Sequence, residues 1–298
     1  MVPVLVVCYA RPQNLKDLLS RIDVNTRDVY IFIDKAVSNN LEGNREVIEI
    51  AHGYKSNTKV IVNCSEVHLG VGNGVPSAMD WAFKFCDELI VLEDDCLPTS
   101  HFFTFVDVNK HILGSRIKLL SGTSPWTARD ANAEEKTTTS SFPLIWGWYT
   151  TRNAWVSLSK LLREKLKITE YLLAVIKSPR KILAINFFLA AKIRTDKGLL
   201  DAWDSRVALQ MLLSDFVAVI PSTDLVENIG TDLTASHASS NTTNFSSTSN
   251  DQKMRSALAK CDISENSRRI TDTAIQTNLY GLKAKHLFSP LKAKLNLR

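Results

Sequence analysis

The chain has 298 residues, of which 45% are hydrophobic and 22% charged, so it can bury one large core or two small ones and is not a low-complexity protein. Its net charge of +5 is too small to mark a nucleic-acid binder, but the charge is unevenly placed. Residues 156–200 and residues 252–298 each carry ten Lys/Arg against three Asp/Glu, which leaves an acidic body with two basic segments attached.

In chain order, "VPVLVVCYA" is a continuous β-branched run, as expected of a strand buried on both faces. "NLKDLLSRI" follows with helical spacing, and "VYIFIDKA" is a second buried strand that ends at Asp34. "NREVIEIAHGY" reads as helix and "KVIVNCS" as strand. "HLGVGNGVP" reads as a glycine-rich loop suited to close approach by a ligand. "PSAMDWAFKFC" reads as helix, and the strand "ELIVL" runs into Glu93, Asp94 and Asp95. This alternation predicts a parallel, doubly wound sheet.

Beyond Pro98, "HFFTFVDVNKHIL" predicts a helix, "IKLLSGTSPW" a strand and loop, "AWDSRVALQMLL" a helix and "FVAVIPS" a last strand. Residues 156–200 read as basic amphipathic helices broken at Ser178-Pro179, and "ASSNTTNFSSTSND" as a mobile polar loop. Five cysteines (Cys8, Cys64, Cys86, Cys96, Cys261) without a C-x-x-C pair predict reduced core thiols. No stretch reaches the roughly 18 apolar residues of a membrane span, and the amino terminus lacks the basic region of a signal peptide.

Ligands of open α/β sheets sit beyond the carboxyl ends of the strands. Arg11, Asp34 and the triplet at Glu93 all fall at such ends. Three adjacent carboxylates repel one another, and hard oxygen ligands suit Mn²⁺ or Mg²⁺ bound together with a diphosphate. The bland alternative is a solvated strand end. Asp204, three residues after Asp201, reads equally as part of a helix cap and as a general base beside Trp203. His237, at the root of the polar loop, is a candidate second metal ligand or phosphate contact, against the commoner surface histidine. Trp146 and Trp148 are candidate platforms for a sugar face, against the commoner core role.

The blocks "VPVLVVCYARP", "IFIDKA", "VLEDDCLPTSHFFTF", "PLIWGWYTTRNAW", "AWDSR" and "ENIGTDLTASH", in that order, resemble the GT-A-fold nucleotide-sugar glycosyltransferases. The likeness is nearest to the N-acetylglucosaminyltransferase I family (glycosyltransferase family thirteen) and to bacterial family-two-like proteins. It implies an α/β GT-A catalytic domain over residues 1–250, with 156–200 as a basic helical insert and 251–298 as a basic extension. By resemblance Arg11 contacts the donor's diphosphate or uridine and Asp34 reads the uracil. Glu93 and Asp94 hold the donor sugar and ribose, Asp95 binds Mn²⁺ or Mg²⁺, and Asp204 is the base.

The implied activity is metal-dependent, inverting transfer from a UDP-sugar to a hydroxyl of a bacterial glycan or lipid-linked acceptor. The implied setting is cytoplasmic, with peripheral contact at the inner-membrane surface through the basic segments and no nucleic-acid partner. The insert departs from the eukaryotic pattern, which leaves donor sugar and acceptor open. Two other readings stand beside this one. One is a catalytically silent nucleotide-sugar or glycan binder on the same fold. The other is a sugar-phosphate nucleotidyltransferase, disfavoured because "CYARPQN" has no glycine.

Overall fold

The computed structural model describes residues 1–23, 26–125, 137–189, 191–193, 203–230 and 261–277. The first part of the chain forms β1 (Val4–Cys8), α1 (Pro12–Ser20), β2 (Val29–Ile33), α2 (Leu41–Gly53), β3 (Val60–Cys64), α3 (Gly70–Ala82) and β4 (Glu88–Glu93). Next come β5 (Cys96–Pro98), α4 (Ser100–Asn109), β6 (Ile117–Ser121), β7 (Thr137–Ser140), β8 (Trp148–Thr151), α5 (Arg152–Leu158) and α6 (Ile168–Lys177). The remainder is α7 (Lys181–Ala184) running into a π-helical turn (Ile185–Leu189), α8 (Trp203–Ser214), β9 (Val217–Ile220), β10 (Val226–Asn228), β11 (Cys261–Asp262) and α9 (Glu265–Ile275).

Nine strands form one sheet in the order β11-β7-β9-β6-β8-β4-β1-β2-β3. The β3-β2-β1-β4 half is all parallel, and β8 enters antiparallel between β4 and β6. β1, β2 and the middle of β4 are buried, which is why their sequences read as unbroken apolar runs. Successive side chains of a strand point to opposite faces, and the core divides accordingly. Leu5, Tyr30, Phe32, Leu89 and Val91 pack with residues of α3, α5, α6 and α8. Val4, Val6, Ile31, Ile90 and Leu92 pack with residues of α1, α2 and α4. This is the mostly parallel, helix-flanked, Rossmann-like α/β sheet that the alternation predicted.

Three expectations change. The glycines of "HLGVGNGVP" do not form a loop; they open α3. Gly70 has φ +69°, which glycine adopts without strain, and the Asp34 carboxylate accepts from the Leu69 and Gly70 N–H groups, so the turn is nucleated from another element. Cys8 and Cys96 are buried free thiols as expected, but Cys64 is exposed and Cys86 half-buried. Residues 261–277 are not an appended tail: β11 pairs in parallel with β7, and α9 lies against it. Thr138 and Thr271 hydroxyls meet at 2.9 Å, and Asp272 Oδ1 accepts from Ser140 Oγ (2.6 Å) and the Ser141 N–H (2.8 Å). Among the described residues no helix is long and apolar enough to cross a membrane.

Removing the Asp272 carboxylate strands two buried donors. Asp272→Ala is therefore expected to cost about 1–3 kcal/mol in urea denaturation. A loss too small to measure would mean that α9 is not an integral part of the sheet.

Candidate active site

The carboxyl ends of β1, β2 and β4 define one edge. The residues just past β2 and β4 both bond back to the end of β1: the Asp34 N–H donates to Cys8 O (3.1 Å) and the Asp94 N–H to Val7 O (3.0 Å). Asp34 and Asp94 therefore flank the segment that leads from β1 into Arg11. Pro12 occupies the first turn of α1, which keeps Arg11 in a non-helical conformation and points it off the strand end.

Arg11 explains how three adjacent carboxyl groups are tolerated. One guanidinium nitrogen pairs with Asp94 Oδ1, and the other donates to Asp95 Oδ2 at 2.9 Å. The Asp94 side chain is 2% exposed, whereas Arg11 is 45% exposed, so the ion pair runs from the interior to the surface. Burial raises the pKa of Asp94, and Arg11 opposes that rise. Glu93 is pushed up to about 8 by burial and by the charges of Asp95, Asp94 and Asp204, so near neutral pH its carboxyl group holds a proton. The Arg11 guanidinium is the counter-charge that Asp94 and Asp95 share.

Asp204 comes from a distant part of the chain. Trp203, next to it, stacks on Trp148 with ring centroids 6.0 Å apart, and Trp148 in turn leans on Trp155 at 6.2 Å. Trp148 lies on β8, which pairs with β4 at Val91, two residues before Glu93. The aromatic stack therefore sets the first turn of α8 near the end of β4, close enough for Asp204 to act on Glu93 electrostatically. Asp204 Oδ1 accepts the N–H of Ser205 (2.7 Å), a cap-like contact at the start of the helix.

Other predicted residues fare differently. Both oxygens of Asp34 are engaged by protein donors: Oδ1 by the Lys35 and Leu69 N–H groups, Oδ2 by the Gly70 N–H, with His68 Nδ1 at 3.0 Å. Its evident work is to fasten the end of β2 to α3. Trp148 is 1% exposed, so the expectation of a sugar platform there is corrected: the stack with Trp203 uses its ring. Trp146 is half-buried. His237, Asp201 and the polar loop lie outside the described residues.

The "ENIG" block has a structural use that its sequence does not signal. β10 pairs with β5 directly after the triplet, and the Ile229 N–H donates to Asp95 O (2.8 Å). A Cβ on Gly230 would lie 2.8 Å from Asp95 Oδ2, so a side chain there would push that carboxylate aside.

Among the described residues no three His, Cys, Asp or Glu side chains converge to cage a metal ion. A cation that arrives with a diphosphate needs only one or two protein carboxylates and takes its other oxygens from phosphate and water. Asp95, with a 19% exposed side chain, fits that smaller demand.

No family model matches the chain, and no curated protein matches it. Two solved structures are similar to it in part. A mannosyltransferase, PcManGT from Pyrobaculum calidifontis, solved in complex with GDP-Man and Mn²⁺, has 12% identity and a TM-score of 0.38, over 72% of this chain and 69% of that one. HddC from Yersinia pseudotuberculosis has 15% identity and a TM-score of 0.29, over 41% of this chain and 59% of that one. At these values neither assigns a family, and the reading of the site rests on its own geometry.

Arg11→Met removes the counter-charge of a buried aspartate. It is expected to cost about 1–3 kcal/mol in chemical denaturation, since the half-exposed arginine is partly screened by solvent, with Asp94→Asn recovering part of the loss in the double variant. Strict additivity of the two substitutions would show that the pair does not couple.

Proposed function

We propose that the protein is a metal-dependent, inverting glycosyltransferase that moves a sugar from a UDP-sugar, such as UDP-GlcNAc or a related hexose donor, to a hydroxyl of a bacterial glycan or lipid-linked acceptor. One observation carries the reading. At the carboxyl edge of a parallel sheet, Arg11 bridges Asp94 and Asp95, and the Trp203–Trp148 stack brings the start of a separate helix, with Asp204, toward the same edge. Arginine suits a diphosphate, a part-exposed carboxylate suits its cation, and an acid on the opposing element suits deprotonation of an acceptor.

On this reading Arg11 leaves Asp95 to pair with the donor's phosphates, and Asp95 anchors the Mn²⁺ or Mg²⁺. When bound, the metal offsets the charge of the departing nucleoside diphosphate. Glu93 is proposed to hold a hydroxyl of the donor, with the buried Asp94 fixing Arg11 in place. Asp34 supports the nucleobase end by holding the loop after β2 against α3, and Trp146 is the remaining aromatic surface proposed for the acceptor. Asp204 takes the proton as the acceptor oxygen attacks the anomeric carbon and the bond to the diphosphate oxygen breaks. His237 is proposed as a further contact to the metal or phosphates. The catalytic unit proposed covers residues 1–250 together with the β11–α9 segment that completes the sheet.

The test is incubation of the purified chain with a panel of uridine and guanosine diphosphate sugars, with Mn²⁺ or with chelator. Donor-dependent release of nucleoside diphosphate that requires the metal supports the proposal; saturable donor binding without release would replace it with a silent binder. Asp204→Asn is expected to lower turnover about 100- to 10,000-fold with donor affinity retained, the usual contribution of a general base. Near-wild-type turnover in that variant would remove Asp204 from the role. Asp95→Ala is expected to abolish the metal dependence of donor binding, read by thermal shift with and without Mn²⁺.

A further inference from the structure

Helix α6 has two apolar faces, and the protein covers only one. Tyr171, Ala174 and Val175, spaced three and four residues apart, are buried against the domain. On the other side Ile168, Leu172, Leu173 and Ile176 are 47%, 46%, 45% and 65% exposed. At 3.6 residues per turn these four fall within roughly 140° of arc, with Thr169 the one polar side chain among them, and the helix's two charged residues, Glu170 and Lys177, lie on the narrow strip that remains. Ile182 and Ile185, on α7 and the turn after it, are 75% and 42% exposed and extend the aliphatic surface. The solvent face of a surface helix is normally polar. Scattered apolar residues need no explanation, but a contiguous patch marks an interaction site.

The rim of this patch is basic. Lys160, Arg163, Lys165 and Lys167 precede α6, Lys177 ends it, and Arg180 and Lys181 follow it, all exposed, against only Glu164 and Glu170 over the same interval. Some of these charges are locally engaged: Arg163 pairs with Asp80, and Lys177 Nζ donates to Leu212 O (3.1 Å) and Leu213 O (3.0 Å). The contacts of Lys177 go to neutral carbonyls, so its charge stays uncompensated.

We propose that the outer face of α6, continued by Ile182 and Ile185, docks on an anionic lipid bilayer. Aliphatic side chains bounded by Lys and Arg match an interface whose acyl boundary is apolar and whose headgroups are negative. A second copy of the chain is a poorer occupant, because symmetric pairing would set seven basic residues against seven more. Nothing in this proposal depends on the transferase reading, and vesicle binding is measured without substrate.

The experiment is co-sedimentation of the full chain with vesicles of phosphatidylcholine alone or with about a third phosphatidylglycerol, beside sedimentation velocity of the free protein. Expected is binding to the anionic vesicles that weakens with salt. The double variant Leu172→Glu/Ile176→Glu should bind at least tenfold more weakly while keeping the wild-type melting temperature, since both side chains face solvent. Reversing two rim charges, Lys165→Glu/Lys167→Glu, should weaken binding and leave the aliphatic face intact. The proposal is overturned if the wild type binds neither vesicle, if the aliphatic variant binds as the wild type does, or if the face instead mediates self-association that the variant abolishes.

Discussion

Three parallel strands buried on both faces leave polar chemistry only their ends. Within β1, β2 and the middle of β4 every side chain meets a helix layer on one face or the other, so a charge there has no route to water. At the carboxyl edge the constraint relaxes, and the molecule gathers Arg11, Asp34, Asp94 and Asp95 there. Even so, Asp94 is buried and needs a counter-charge. That need fixes Arg11, and Arg11 is reachable because β1 and β4 are neighbours in register, with Val7 opposite Glu93. The order of strands and the chemistry of the edge are the same fact seen at two scales.

The second half of the site depends on aromatic packing. α8 reaches the edge from more than a hundred residues away in sequence, and its first turn is set by the Trp203–Trp148 stack on β8. β8 is the antiparallel strand that separates β4 from β6. It brings the tryptophans next to the carboxylates and carries their sheet pairing to the far half, where β9, β7 and β11 complete the edge. Asp204 is thereby positioned through its neighbour Trp203, whose ring is held against Trp148.

Much of this was legible from the chain. β1, β2 and β4 announced themselves because burial on both faces forces unbroken β-branched runs, and the carboxylate edge followed from where those runs end. The insertion of β8 was not legible, since "WGWYTT" carries no signal for which strand it pairs with or in which direction. "HLGVGNGVP" misled because glycine and proline usually interrupt helices; the Asp34 carboxylate that starts α3 lies more than thirty residues earlier, and local sequence cannot show it. Asp34 itself reads from its place at a strand end as a ligand contact, but both of its oxygens are engaged within the fold. Trp148 and Trp146 differ by two positions and are alike in composition terms; only the stack with Trp203 separates them. The α9 segment read as an extension because residues 252–298 as a whole are basic, while the few buried groups of α9, Thr271, Asp272 and Ile275, are what join it to the sheet.

One consequence of the Arg11 bridge concerns how such a site discriminates among nucleotides. A diphosphate entering the edge does not find an empty well; it finds a cation already shared between two carboxylates. On the proposed reading, binding is an ion exchange: Arg11 trades Asp95 for phosphate oxygen, and the freed carboxylate takes the incoming metal. Each partner in that exchange is replaced by another of like charge, so the affinity is a small difference between large terms. A nucleoside without phosphates offers nothing to trade, and the edge would reject it by leaving the bridge closed.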